Sequence, residues 1–283
     1  MELDTGLIYA YASEFLKEDL GRGDFTTQAV VRGGAKARGV FLAKEDLILC
    51  GLEFAEAVFA VLDGSIQLES RAYDGEALKA GSSFARLEGP AAVLLAGERT
   101  ALNLIQRMSG IANLTRAYVD TIAGTGAQIV DTRKTTPGLR LIEKYAVTVG
   151  GGRNHRFGLD DGILIKDNHI ALAGGIRRAV ELARNHASHM MRIEVEVTTP
   201  AGAEEAVRAG ADIVMLDNMK APDVAESVRL IKELSARTIV EASGGISLDN
   251  VLEIANAGVD LISVGAITHS AAAVDISMKI API

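Results

Sequence analysis

After residue 128 the chain repeats one theme: a short apolar run, rich in β-branched residues, that stops in charge or glycine. The runs are IVDTRK, GILIKDNH, RIEVEVT, DIVMLDN, TIVEASGG and LISVGA. Most are separated by alanine-rich stretches with helical spacing, such as residues 201–209 and 249–257. Strand-length runs alternating with amphipathic helices read as parallel βα units. Two architectures satisfy that reading. A (β/α) barrel assembles its site from the carboxyl ends of several strands, and an open doubly wound sheet also binds ligands there. The barrel is the expectation, and several charged strand ends then imply one shared pocket.

At 283 residues and 48% hydrophobic content, the chain has room for a barrel and a second domain. The single cysteine, Cys50, excludes an internal disulfide framework and a multi-cysteine zinc site. Its setting in LILCGLEF is that of a packed strand residue rather than a nucleophile. Neither a signal-peptide pattern nor an apolar run of membrane-spanning length occurs, so a cytoplasmic setting away from membranes is expected. A net charge of −8, without a basic tract or tryptophan, disfavours nucleic acid. Yet Arg133, Lys134, Arg140, Lys144, Arg153, Arg156 and Lys166 crowd one segment. Cations gathered in an acidic chain point at least in part toward a small anion.

The first 90 residues read as a small α+β domain, with a helix over residues 7–20 and strands in AKARGVFLA, SIQLESRAY and SSFARLEG. Helix-compatible sequence lies at residues 53–62. A long helix is predicted over residues 91–122, interrupted at Ser109 and Gly110, and leads into the first barrel strand. In the tail, residues 271–280, helical spacing suggests a helix folding back on the first domain, with a strand as the alternative. Arg22-Gly23-Asp24 reads as a structural turn, and His186 and His189 as solvated surface.

In RIEVEVT the alternation puts Ile193, Val195 and Val197 on one face and Glu194 and Glu196 on the other. With the apolar face toward the helices, both glutamates enter the barrel, where charge is costly unless paired or bound to a ligand. An internal ion-pair network with lysines is the alternative reading. Asp217 and Glu241 hold comparable places on the next two strands. Opposite this acidic sector, Arg133 and Lys134 precede a Thr-Thr-Pro-Gly turn, and Asn154, His155 and Arg156 follow a triple glycine. Arginine suits carboxylates and lysine suits phosphate, so a pocket with both could hold one substrate of each kind. Ser243, Gly244 and Gly245, with Val264, Gly265 and Ala266, put small residues at the last two strand ends, where barrels often bind phosphate through backbone N–H groups. Arg99 shares a helical stripe with Leu95 and Leu102, either snorkelling or entering a site in another subunit. No nucleotide-binding glycine loop and no Ser-His-Asp or Cys-His arrangement is evident, so a covalent nucleophile is not the first expectation.

The block DTRKTTPGLRLIEKYAVTVGGGRNHRFGLDDGILIKDNHI closely resembles quinolinate phosphoribosyltransferases. Further matches are EDLGRGDFTT, ERTALNLIQRMSGIA, EVEVTT, MLDN, EASGGI and VDISMKI, in order along nearly the whole chain. The resemblance implies an incomplete (β/α) barrel over residues 116–269 with an N-terminal α/β sandwich domain over residues 1–115, joined by the tail at residues 270–283. It implies transfer of phosphoribose from 5-phosphoribosyl 1-diphosphate to quinolinate, with loss of CO2, to give nicotinate mononucleotide for NAD synthesis. Mg2+ is implied as cofactor, bound mainly through the diphosphate with Glu196 and Asp217 nearby, and a homodimer or hexamer is implied as the assembly.

Carried over by that resemblance, Arg133, His155 and Arg156 grip the quinolinate carboxylates with Thr132 beside them. Lys134 and Lys166 serve both substrates. Glu196 and Asp217 face the ribose and its diphosphate, and Ser243, Gly244, Gly245, Val264, Gly265 and Ala266 cradle the 5′-phosphate. Arg99 arrives from the neighbouring subunit. Lys134, Lys166, Glu196 and Asp217 are the catalytic candidates. Competing readings are a related protein of molybdenum-transport operons, which departs around KDNH where this chain is intact, a nicotinate phosphoribosyltransferase, and a non-catalytic phosphosugar binder on the same fold.

Overall fold

The structure, a computed structural model, describes residues 3–283. Its elements begin with helices α1 (Thr5–Leu20) and α2 (Phe25–Val30), strands β1 (Lys36–Ala43) and β2 (Leu47–Ile48), helix α3 (Leu52–Leu62), strands β3 (Leu68–Ser70), β4 (Ala77–Leu78) and β5 (Ser83–Pro90), and the long helix α4 (Ala91–Thr121). Parallel βα units follow: β6 (Gln128–Val130), α5 (Arg140–Val149), β7 (Ile163–Ile165), α6 (Asp167–Ala173), α7 (Ile176–His186), β8 (Ile193–Val197), α8 (Pro200–Arg208), β9 (Ile213–Asp217), α9 (Ala221–Leu234), β10 (Ile239–Ser243), α10 (Val251–Asn256), β11 (Leu261–Ser263) and α11 (Ala266–His269). Strand β12 (Ile276–Pro282) closes the chain.

The chain divides into two compact units. The first runs to Leu114 and takes in Leu141–Gly151 and Ala271–Ile283; the second is Thr115–Arg140 with Gly152–Ser270. Residues 141–151, assigned to the barrel domain from sequence, thus join the first unit. The reason is side-chain chemistry on α5: Glu143, fully buried, pairs with Arg107 at 2.8 Å, and Tyr145 Oη donates to Asp74 at 3.0 Å.

In the first unit an antiparallel sheet runs β12-β1-β5-β3. Alternation along β1 sends Phe41 inward against Phe59 of α3 and Phe84 of β5, with ring centroids 6.4 and 5.8 Å away. Asp24 caps α2 by accepting the Thr27 N–H at 2.9 Å, so the Arg-Gly-Asp tripeptide is a turn. Two expectations need correction. The tail is strand rather than helix, paired with β1 from Ala43↔Ile276 to Ala37↔Pro282. Ile276 and Met278 also lie two apart, a spacing that fits a strand burying one face. Helix α4 is also unbroken at Ser109 and Gly110. Those small residues serve close approach: the Ser109 hydroxyl accepts the Cys50 N–H at 2.9 Å, and a Cβ at Gly110 would run into the Ala272 carbonyl.

The second unit is a parallel sheet of six strands in the order β6-β11-β10-β9-β8-β7, helices alternating with its strands. Arg153 adds an isolated parallel bridge to Val130 on β6, and His155, just beyond, reaches Glu194 on β8. That reach across the interior marks a curled, incomplete α/β barrel rather than an open sheet. Val195, Val214, Val240 and Ile262 alternate with the inward positions and are fully buried. Among the described residues no helix is long and apolar enough to cross a membrane.

Candidate active site

Period-two alternation decides what the barrel holds. On β8 the valines point out and Glu194 and Glu196 point in, as the spacing predicts. Pairing aligns Glu196 with Met215 and Met215 with Glu241, while Asp217 aligns with Ser243 two residues nearer the carboxyl ends. The interior therefore has a floor row and a rim row, the layering that strand register imposes on barrels. Above them opens a cleft of about 560 Å³.

One wall is basic. Arg133 and Lys134 line it from the turn after β6, where Lys134 N–H donates to Thr132 Oγ1 at 3.0 Å. Thr268 Oγ1 donates to the Lys134 carbonyl at 2.7 Å, and a Cβ at Gly265 would sit 3.0 Å from Lys134 Cδ. Val264, Gly265 and Ala266 are thus not among the cleft-lining residues, and Gly265 packs against the Lys134 side chain instead. Asp131, fully buried just past β6, accepts Asn154 Nδ2–H at 2.7 Å and the His155 N–H at 2.8 Å. Sequence reasoning gave Asp131 no role, although a carboxylate directly after an apolar strand was a signal for one.

His155 Nδ1 accepts the Arg156 N–H at 2.8 Å, so the ring proton resides on Nε2, which stands 3.1 Å from Glu194 Oε2 and 3.8 Å from Glu241 Oε1. Arg156 Nη1 donates to the Gly162 carbonyl at 2.8 Å, while its Nε is buried without a hydrogen-bond partner. Burial, and then the neighbouring Arg133 charge, lower the Arg156 guanidinium from its ordinary value. Both effects would be relieved by an anion in the cleft.

The opposite wall is acidic. Lys166, the residue before α6, pairs with Glu196, so the ion-pair reading holds for that glutamate; Glu194 takes His155 instead. His169 Nδ1 accepts the Lys166 N–H at 3.0 Å and fixes the helix start. At the rim Asp217 accepts from Asn218 Nδ2 at 2.7 Å, and Asn218 takes a left-handed φ of 55° while its N–H donates to the Ser243 carbonyl at 2.8 Å. Gly244 and Gly245 lie alongside with φ of 85° and 63°, and a Cβ on Gly244 would collide with the Asn218 side chain. Glu241 is 1% exposed, and its carboxyl is pushed up to about 8 by burial and then by the Glu194 charge.

Twelve residues singled out from sequence line this cleft: Thr132, Arg133, Lys134, His155, Arg156, Lys166, Glu196, Asp217, Glu241, Ser243, Gly244 and Gly245. Leu164, Met215, Asn218 and Ser263 were not singled out and line it too. Arg140 instead donates to Thr135 Oγ1 and the Phe157 carbonyl, and Lys144 is fully buried in the first unit. Arg99 is exposed on α4 in the first unit, beside a Leu95 that is 36% exposed, so of the predicted stripe Leu102 is buried. Burial raises the Cys50 thiol well above its ordinary value, which suits a packed rather than a reactive cysteine.

Two family models cover the chain: the quinolinate phosphoribosyl transferase N-terminal domain matches residues 24–109, and the C-terminal domain of the same family matches residues 111–279. The chain belongs to the quinolinate phosphoribosyl transferase family. A probable nicotinate-nucleotide pyrophosphorylase [carboxylating] of Bacillus subtilis is 47% identical over 95% of this chain and 91% of its own. Quinolinate phosphoribosyltransferase [decarboxylating] 1b of Nicotiana tabacum is 41% identical over 94% and 80%. The crystal structure of NadC from Streptococcus pyogenes superposes with a TM-score of 0.95 at 39% identity, covering 100% of this chain and 99% of that one. Family membership therefore extends over both units and includes the strand ends that build the cleft.

Proposed function

We propose that this chain transfers the phosphoribosyl group of 5-phosphoribosyl 1-diphosphate to quinolinate with decarboxylation, yielding nicotinate mononucleotide, CO2 and diphosphate for NAD synthesis. The observation that carries the reading is the division of one cleft into a wall of Arg133, Lys134 and Arg156 and a wall with Glu196, Asp217 and Glu241, where Lys166 pairs with Glu196. A dicarboxylate and a diphosphate need the first wall, and a ribose gaining positive charge needs the second.

Arg133, Arg156 and His155 hold the two quinolinate carboxylates, the planar guanidinium forks matching them and Thr132 offering a hydroxyl. Lys134 and Lys166 bridge toward the diphosphate as mobile charges. As the C1–oxygen bond of the ribose breaks, the electron pair leaves with diphosphate, and Glu196 and Asp217 stabilise the cationic sugar carbon. The pyridine nitrogen then bonds to that carbon. No protein nucleophile is required; the cleft acts by positioning. Ser243, Gly244 and Gly245 receive the 5′-phosphate, with Val264, Gly265 and Ala266 at the neighbouring end of β11, where Gly265 also packs against Lys134.

The cleft suits Mg2+: the ion would be held mainly through the diphosphate oxygens, with Glu196 and Asp217 nearby as carboxylates, the hard oxygen donors it prefers. When bound, Mg2+ neutralises charge on the departing diphosphate. The exposed Leu95 and Arg99 on α4 fit a homodimer or larger assembly of dimers in which Arg99 completes a neighbour's site, and a cytoplasmic location completes the reading. The test is to mix the purified protein with quinolinate, 5-phosphoribosyl 1-diphosphate and Mg2+ and follow nicotinate mononucleotide and CO2. Formation of both in equal amounts is expected; diphosphate donor binding with no product would leave a non-catalytic binder.

A further inference from the structure

Beneath the cations, the donor atoms of His155, Glu194 and Glu241 lie within 4.8 Å of one another. Two carboxylates this close and this buried cannot both stay ionised, so the pair keeps a proton at neutral pH. The geometry says which one keeps it. His155 has Nδ1 committed to the Arg156 N–H and therefore donates from Nε2, at 3.1 Å to Glu194 and only 3.8 Å from Glu241. Glu194 is thus the stabilised carboxylate and Glu241 the neutral acid. The other group facing Glu241 is Ser263 on β11, and Met215 lies beside it in register on β9. The upward displacement of the Glu241 carboxyl agrees with this placement. Of the two glutamates, Glu241 is the one that lines the cleft.

The proposed reaction leaves a proton to be accounted for. When the C2–carboxylate bond of the quinolinate ring breaks, CO2 departs and its bonding electron pair remains on C2 beside the cationic nitrogen. That pair must take up one proton. We propose that Glu241 is the general acid that delivers this proton to C2, with Glu194 and His155 as the positioning pair that keeps it on Glu241 until CO2 has left. The Glu241 O–H bond breaks, a C2–H bond forms, and Glu241 is left as a carboxylate. It is reprotonated from water once product vacates the cleft it lines. A carboxylic acid on the floor also lessens repulsion of a dianionic substrate that two ionised glutamates would oppose.

This assignment rests on the phosphoribosyl-transfer reading, and the experiment separates the two. In single turnovers, diphosphate and nicotinate mononucleotide are quantified in parallel for the wild type and Glu241→Gln, whose fold is checked by circular dichroism. The expected result is uncoupling: the ratio of mononucleotide to diphosphate formation rates falls about 100-fold, the usual scale of a lost general acid. Infrared difference spectra should show a protonated carboxyl in the wild type at neutral pH that is absent from Glu241→Gln. In Glu194→Gln that carboxyl should ionise at lower pH, because the charge that held its proton is gone. An unchanged ratio, equal loss of both steps in a folded variant, or a carboxyl band that survives Glu241→Gln would each overturn the assignment. A wild type that releases no diphosphate from 5-phosphoribosyl 1-diphosphate in the presence of quinolinate would refute the transfer reading itself, and the proton delivery with it.

Discussion

In the antiparallel sheet of the first unit, charge faces outward: Arg38 pairs with Glu88 and Arg86 with Glu69, each at 2.6 Å and about half exposed, over a core of Phe41, Phe59 and Phe84. In the parallel sheet of the second unit the order is reversed. Valines face outward into buried contacts, and Glu194, Glu196 and Glu241 face the interior. The outward pattern is what stability and solubility require. The inward one opposes stability unless something is bound, because buried charge is costly. Two sheets in one chain thus separate a scaffold from a site by which face carries the carboxylates.

The largest effect expected on the site side comes from removing a cation. Lys166→Ala or Lys134→Ala should lower turnover about 100- to 1000-fold, the scale of losing one preorganised charge-stabilising donor. Urea unfolding midpoints should move little, and near-normal turnover in both variants would deny these cations a catalytic role. On the scaffold side, Phe41→Ala should cost about 3–5 kcal/mol in urea unfolding, as a large aromatic removed from a packed core does. Turnover per folded molecule should hardly change.

A smaller effect sharpens the inward side through pH. Glu241 titrates about 8 when folded against an ordinary 4.5, so between those values the folded state binds more protons than the unfolded one. Stability from this group is therefore full at low pH and lost as pH rises through that window, with a slope of at most about 1.4 kcal/mol per pH unit. Glu241→Gln should flatten the curve, measured as unfolding free energy from pH 5 to 9; an unchanged slope would show that Glu241 is ionised in the folded protein. The smallest effect belongs to the outward charges. Arg38→Ala should change stability by no more than about 1 kcal/mol, checked by the same unfolding assay.

Much of this was legible in the sequence for one reason: local periodicity writes itself into the residues. The inward glutamates of RIEVEVT, the strands of the βα repeats and the crowding of cations after Arg133 are all short-range patterns. What the sequence concealed is long-range. Asp131 acts on Asn154 and His155 across more than twenty residues, which no spacing rule encodes. The continuity of α4 at Gly110 depends on a backbone that returns from Ala272. The tail fits two periods, and only pairing with β1 selects the strand. Gly265 packs against Lys134 from a strand end more than a hundred residues away, a contact that no local spacing encodes.

In the proposed reaction the basic wall of the cleft reads two carboxylates on one small acceptor. The direct measurement is kcat/KM with 5-phosphoribosyl 1-diphosphate and Mg2+ for quinolinate and, in parallel, for nicotinate, following mononucleotide and CO2. Product from quinolinate with CO2 in equal amount, and none from nicotinate, is the predicted result. Equal use of both acceptors would contradict it, because Arg133, His155 and Arg156 would then not be reading the second carboxylate.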